Sequence, residues 1–333
     1  MIGEIACPVC NSNDTKRVYQ VDAGTAGSMV IPDNPEQSLR ISEEIESLWQ
    51  SNRVEFLRCT HCMFGFAWPF LAGNDKIYSA LYYKDFSYPA DKWEYDRAIE
   101  IIGNLDLSPD SSLLELGAGN GSFLDKVATI IQDKQYIYST EYSNAGVEEI
   151  KRKGYNCFNK SISDLPAPNL PEFDIICMFQ VLEHMDDLKQ VFQSLDKLCK
   201  ETSHVIIAVP NGTLRRFYDR MGVHLDVPPI HVGSFTPKTF HFLGKKHGWE
   251  VIETCTEPQK YLFKLKKFVF DRYARNRLAK RTEGSKIRLI KYFFRYLIVL
   301  LLTVRFLPIA IYLLKPGTGT SLLVHLKNQP ESK

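Results

Sequence analysis

Between Trp93 and Thr254 the chain alternates short apolar runs with amphipathic stretches, and this alternation restricts the fold more than any other feature of the sequence. Apolar residues recurring every three or four positions mark helices that bury one stripe, whereas short unbroken apolar runs mark strands covered on both faces. Read in order, the pattern predicts strands at Ser112–Leu116, Tyr136–Glu141, Phe173–Met178, His204–Val209 and Trp249–Thr254, with a last strand at Ser321–Lys327. Helices are predicted at Gly121–Ile131, Asn144–Lys153, Leu188–Cys199 and Lys238–His247. A strand that re-enters a sheet in the same direction needs a crossover, and here each crossover has a helix to run through, so the expected class is α/β around a parallel sheet.

The first strand runs into Glu115-Leu116-Gly117-Ala118-Gly119-Asn120-Gly121. Glycines let the backbone approach a ligand closely and allow the tight strand-to-helix turn whose free N–H groups face the crevice at the strand ends. Such a turn also suits a dinucleotide, although that fingerprint wants glycine or alanine where Ser122 stands. The flanking acids add weight. Glu115 precedes the glycines, and Glu141 ends the next strand, where ribose hydroxyls are bound in folds of this kind.

Taken with Phe173-Asp174-Ile175-Ile176, Gln180-Val181-Leu182-Glu183-His184, Pro210-Asn211, Pro228-Pro229-Ile230-His231 and Phe235-Thr236-Pro237, this stretch resembles class I S-adenosylmethionine-dependent methyltransferases. Within them it is similar to the branch of ubiquinone-type O-methyltransferases and bacterial sugar methyltransferases. The resemblance implies a Rossmann-like, seven-stranded, mostly parallel sheet with helices on both faces. It implies S-adenosyl-L-methionine as cofactor, with Glu115 at the methionine end and Glu141 at the ribose. Gly117, Ala118, Gly119 and Gly121 would lie against the cofactor, with Tyr142, Ser161, Ile162 and Gln180 as further contacts. Relatives commonly carry an acid where Ser161 stands, so the adenine amino group must find Ser161, Asp164 or a backbone oxygen.

Methyl transfer from a sulfonium is an in-line displacement in which the cofactor carries the reactivity and the protein aligns the acceptor. A hydroxyl acceptor must also lose its proton. His184 at the end of the fourth strand is the candidate base and His231, in a loop beside the Pro-Pro turn, the second; a histidine titrating near neutrality suits this task. Either could instead merely cap or pack. Gln180 and Asn211 could position the acceptor, or satisfy backbone groups at strand ends.

Ahead of this region, Cys7-Pro8-Val9-Cys10 and Cys59-Thr60-His61-Cys62 form two knuckles, the arrangement that points four thiolates at one tetrahedral ion. Cys7, Cys10, Cys59 and Cys62 are thus expected to hold a structural Zn2+ in a zinc-ribbon-like module. His61 could replace a thiolate, and a redox pair is the competing reading. The stretch between the knuckles, with a helical run at Ser42–Gln50, is longer than a minimal ribbon needs. The tyrosines Tyr78, Tyr82, Tyr83 and Tyr88 follow, a layout that also resembles sugar-methylating relatives. The expected organisation is a module at 1–72, a linker at 73–92, the catalytic domain at 93–259 and 316–333, and an insertion at 260–315.

That insertion begins with a strongly basic stretch and continues into apolar segments at Tyr296–Val304 and Phe306–Leu314, broken by Arg305 and Pro308. A single crossing would separate strands of one sheet, and two crossings need about twice the apolar length present. The expectation is an in-plane element on an anionic membrane surface, against the alternative of a helical lid or dimer interface. Lys+Arg number 41 against 39 Asp+Glu, so positive charge is local, and no nucleic-acid partner is expected. The start of the chain has no secretory signature and the four single cysteines, Cys157, Cys177, Cys199 and Cys255, look like reduced core residues, which points to the cytoplasm, peripheral at the inner membrane face. The expected reaction is O-methylation of a small-molecule, sugar or lipid-linked hydroxyl. A sugar C-methyltransferase is the runner-up, followed by an RNA methyltransferase and a non-catalytic scaffold.

Overall fold

Strand β4 (Leu113–Leu116) shows why the apolar runs fold as they do: every residue in it is buried, Leu113 on one face and Leu114 on the other. The computed structural model describes residues 5–81, 89–165, 170–224, 227–258 and 317–329. The expectations for 260–315 and for Tyr82, Tyr83 and Tyr88 lie outside these residues. Residues 1–255 with 321–333 form one compact unit, and 256–320 form a second.

The larger sheet has seven strands among the described residues. With β5 (Ile137–Thr140), β6 (Asn156–Phe158), β7 (Phe173–Phe179), β8 (Cys199–Pro210), β10 (Trp249–Thr256) and β11 (Ser321–Asn328), the order is β10-β11-β8-β7-β4-β5-β6. The inner pairs are parallel, and β11 runs antiparallel to β8. On one face lie α4 (Trp93–Gly103), α5 (Ser122–Val127) and α6 (Asn144–Arg152), whose Tyr95, Phe123 and Ile150 pack with Ile175 and Ile206. On the other face α7 (Leu188–Leu198) and α9 (Pro237–His247) pack with Ile176 and Ile207. The α/β architecture with helices on both faces is therefore as the sequence implied.

Boundaries shift for local reasons. α5 stops at Val127 rather than Ile131, since Thr129 and Ile130 bond three residues back and tighten the last turn. The three-residue edge strand β6 and α8 (Gly212–Arg220) were not anticipated. The first is too short to show a period, and the second starts on a glycine, capped by Asn211 Oδ1 accepting from Thr213 N–H. Within the expected linker, Asp75–Leu81 is helix α3, its Ile77 N–H donating to the Asn74 side chain.

The cysteine region builds a second, four-stranded sheet: β1 (Thr15–Asp22), β2 (Arg53–Cys59), β3 (Gly65–Trp68) and β9 (Gly233–Ser234). Between β1 and β2 stand α1 (Ala23–Val30) and α2 (Pro35–Trp49), which account for the long spacing between the knuckles. Gly27 lets these helices meet, because a Cβ there would lie 2.2 Å from Ser42 Oγ. A buried ion pair, Arg58 to Asp219 at 3.2 Å, ties β2 to α8.

Candidate functional site

Gly117, Gly119 and Gly121 all take positive φ, at 72°, 59° and 75°, a region that side chains penalise. A Cβ on Gly117 would also lie 2.7 Å from Val181 Cγ2, so the turn is pressed against the end of β7. Ala118 N–H donates to Thr140 O at 2.9 Å, which fastens the turn to β5. The Glu141 carboxylate takes Gly119 N–H on Oε2 at 2.8 Å and Ser143 N–H on Oε1 at 2.9 Å. It thereby shapes the turn while keeping further lone pairs on both oxygens.

Glu115 is treated differently. It is 1% exposed and its Oε2 has no hydrogen-bond partner. Burial pushes its carboxyl up to about 8, with Lys92 opposing and Glu141 adding to the rise. A buried acid with an unmet oxygen calls for a cationic or N–H-bearing ligand group. The positive-φ glycines leave backbone room beside it, so the residues present fit the amino-acid end and the nucleoside of S-adenosylmethionine.

The remaining expected cofactor residues are scattered around this turn. Tyr142 follows Glu141 and is 65% exposed, an aromatic face open to a ligand. Ile162 is buried, while Ser161 Oγ is engaged by Ser163 Oγ at 2.7 Å and donates to Asp164 Oδ2 at 2.6 Å. Gln180 sits at φ 60° and its amide donates to Glu94 Oε1 at 3.3 Å and Ser321 Oγ at 3.2 Å, so it braces strand ends. Sequence reasoning missed Gly146 and Asn159. A Cβ on Gly146 would lie 2.6 Å from Gly119 O, and Asn159 Nδ2 donates to Tyr142 O at 2.7 Å. A glycine inside a helical pattern was the available signal for the first; Asn159 had none.

The two candidate histidines come together. Their rings are 4.6 Å apart, edge to face, although 47 positions separate them in the chain. His184 lies in the single tight turn Leu182–His184 just after Val181, and its Nδ1 is 2.8 Å from Ile230 O. A carbonyl only accepts, so in the neutral ring Nδ1 carries the hydrogen and Nε2 is basic. Burial, with the nearby His184 and Arg215, pushes His231 well below the usual histidine range and keeps it neutral. Tyr78, from the expected linker, brings its hydroxyl 3.4 Å from both His184 Nδ1 and Ile230 O, a contact the sequence gave no reason to expect. Asn211 caps α8 and faces Phe235 across a bridge. Glu183, His184 and His231 each offer an atom within 4.8 Å of the others, so a cation could also gather there.

Away from the turn, Cys7, Cys10, Cys59 and Cys62 converge, with Cys7 Sγ 3.5 Å from Cys62 Sγ and Cys10 Sγ 3.5 Å from Cys59 Sγ. Thiolates around a tetrahedral ion at ~2.3 Å stand about 3.8 Å apart, so the set needs little adjustment to hold one. Its donor chemistry, four sulfurs and no open position, suits Zn2+ in a structural role. His61 turns away, its ring packed against Phe242 with centroids 4.7 Å apart.

Residues 92–254 match the family model described as a methyltransferase domain. No curated protein matches the chain. Among solved structures, the chain is similar to an S-adenosylmethionine-dependent methyltransferase of Archaeoglobus fulgidus at 15% identity and TM-score 0.45, over 70% of this chain and 92% of that one. It is similar to a cyclopropane synthase of Mycobacterium tuberculosis at 14% identity and TM-score 0.44, over 70% and 82%. An O-methyltransferase of a Brevibacillus brevis polyketide multienzyme, solved with S-adenosyl-L-homocysteine, gives 16% and 0.43, over 71% and 72%. The glycine turn, both strand-end acids and the histidine-bearing turn after β7 all fall inside the matched segment, and residues 92–254 form a methyltransferase domain.

Proposed function

We propose that the enzyme methylates a hydroxyl oxygen on a small-molecule, sugar or lipid-linked acceptor, with His184 as the base. The observation that supports this reading is the shared turn: Val181 abuts Gly117 and His184 follows it within one turn, so the chain lining the glycine turn also carries the histidine. When bound, S-adenosylmethionine supplies an electrophilic methyl group on a positively charged sulfur. Glu115 would hold the amino group of its methionine end, Glu141 its ribose hydroxyls, and Tyr142 and Ile162 the faces of its adenine. His184 Nε2 would accept the proton of the acceptor hydroxyl, and the Ile230 carbonyl, accepting from Nδ1–H, would stabilise the imidazolium that results. Neutral His231 beside it lowers the electrostatic cost of that charge relative to a second cation.

Methyl-labelled S-adenosylmethionine, offered with free and lipid-linked glycosyl acceptors, tests the reading. Label recovered as a base-stable methyl ether supports it; label on carbon favours the C-methyltransferase, and label on tRNA or rRNA alone the RNA enzyme. Calorimetry that finds binding of neither S-adenosylhomocysteine nor the methyl donor would leave only a scaffold. The gathering of Glu183, His184 and His231 favours one second reading, cation-assisted deprotonation, in which transfer would rise with added Mg2+ or Mn2+ and vanish with chelator.

We further propose that 260–315, a basic stretch followed by apolar segments, meets anionic lipid and that the converging cysteine set holds Zn2+. Co-sedimentation with phosphatidylserine vesicles across salt tests the first, elemental analysis the second. Among the described residues no helix is long and apolar enough to cross a membrane.

A further inference from the structure

The segment that carries His231 is held by the cysteine module and by the residue that follows that module. Upstream, Gly73 N–H donates to Pro229 O at 3.0 Å. In the middle, Ala67 N–H donates to Val232 O at 3.0 Å, and β9 pairs with β3, Gly65 opposite Ser234 and Phe66 opposite Gly233. Downstream, the Thr239 hydroxyl donates to Cys62 O at 3.1 Å, from the first turn of α9. Phe64, between the second knuckle and β3, packs on Phe235 with ring centroids 4.9 Å apart.

The other side of the same segment faces the catalytic turn. Val232 N–H donates to Glu183 O at 3.0 Å, and Ile230 O meets His184 Nδ1 at 2.8 Å. A two-residue strand such as β9 has almost no stability of its own and depends on its partner's register. That partner, β3, begins immediately after Phe64, whose carbonyl accepts from Cys59 N–H at 2.9 Å inside the knuckle. The donor turn has a different support, since Gly117 to Gly121 are fastened to β5 and α6.

We propose that metal at Cys7, Cys10, Cys59 and Cys62 positions the segment 227–234, so that the wall bearing His231 and the Ile230 carbonyl takes its working shape only when the four thiolates are metallated. The nucleoside side of the site does not share this dependence. The module is then a clamp on the acceptor wall, and Cys59 and Cys62 are positioning residues that act through β3 and β9. This rests on the reading that the four cysteines bind a metal, which elemental analysis of the purified full chain checks first; a chain that never takes up stoichiometric zinc overturns the clamp at that step.

Hydrogen exchange read by mass spectrometry on the zinc-loaded and chelator-stripped full chain tests the coupling itself. The expected result is exchange about tenfold or more faster over 227–236 and 57–73, with 113–121 and 137–147 unchanged. S-adenosylhomocysteine binding by calorimetry should stay within about threefold on the same samples, because its contacts lie on β4 and β5. Faster exchange at 57–64 with 227–236 still protected overturns the proposal, and so does unchanged exchange throughout. Where stripping unfolds the whole chain, C10S is measured instead, since Cys10 is the half-exposed member of the set. Selective loss of protection at 227–236 in C10S supports the clamp; uniform loss or none overturns it.

Discussion

The two walls that we propose for the site, one for the nucleoside and one for the acceptor, are built in opposite ways. The nucleoside wall comes from neighbours in sequence: Glu115, the glycine turn, Glu141 and Gly146 span one strand–helix–strand–helix passage. The acceptor wall is gathered from distant places, with Tyr78 from α3, His184 after β7, Ile230 and His231 from the loop before β9, and β3 behind them. Local construction tolerates disturbance elsewhere, whereas a wall assembled by long-range contacts fails as a whole when one support goes.

The largest expected effect is therefore on the acceptor wall alone. His184→Ala should lower methyl transfer to the acceptor found in the labelling experiment by roughly 100- to 10,000-fold, the range of a lost general base. Binding of S-adenosylhomocysteine should change less than about threefold, because His184 belongs to the other wall. An affinity loss matching the rate loss would erase the distinction between the walls.

Glu115→Gln is the counterpart on the nucleoside side. Removing the carboxyl that would ionise against the ligand's ammonium should weaken S-adenosylhomocysteine binding by ~10- to 150-fold, or about 1.5–3 kcal/mol, as for hydrogen bonds to charged groups. Its effect on the ligand-free protein has the opposite sign. Burial raises the Glu115 carboxyl to about 8, so its contribution to stability is present below the unfolded value and is lost as pH rises toward 8. The glutamine variant should thus melt higher than the parent at pH 8 and no higher at pH 4. His231, held well below its usual range, has the mirror dependence: it is neutral in the fold, and stability falls as pH drops below the unfolded histidine value. Equal slopes in the parent and in His231→Gln between pH 7 and 5 would show that the acceptor wall does not carry this term.

The same contrast explains what was legible in the sequence. The placement of Glu115 to Gly121 and Glu141 at a turn and a strand end could be read because it follows from residue type at fixed offsets on consecutive elements, and the strands could be read because burial on both faces leaves unbroken apolar runs. His184 and His231 could each be nominated, but nothing in the residues placed their rings in contact. Tyr78 sat in a stretch read as linker, and β9 is two residues long, a span that carries no periodic signal. The pairing of β9 with β3 is a tertiary fact, set by register across a gap of about 170 positions.

Gly146 sharpens the comparison at the next level of effect. Alanine is the better helix former by about 1 kcal/mol, so on propensity alone Gly146→Ala would stabilise α6. Its Cβ would however press on Gly119 O at 2.6 Å and Glu141 Cγ at 2.8 Å, and overpacking of that kind costs ~1–3 kcal/mol. The expected outcome is a ~5- to 50-fold weaker S-adenosylhomocysteine complex with little change in the exchange of 227–236. A variant that binds as tightly as the parent would mean that the helix yields and the turn is less tightly built than its contacts suggest.

The smallest effect belongs to Tyr78→Phe. The hydroxyl stands 3.4 Å from both Ile230 O and His184 Nδ1, long for a hydrogen bond, so its net contribution belongs at the low end of about 0.5–1.5 kcal/mol. Phenylalanine keeps the ring edge-on to His184, where the centroids are 5.8 Å apart, and so retains the packing while deleting the polar contact. Transfer should fall by roughly 2- to 3-fold with cofactor affinity unchanged. Because Tyr78 OH donates to the same carbonyl that orients the imidazole, the loss should appear in kcat and not in the binding of S-adenosylhomocysteine. An unchanged kcat would remove Tyr78 from the acceptor wall and leave α3 as packing alone, whereas a loss as large as that of His184→Ala would make the phenol a second proton carrier.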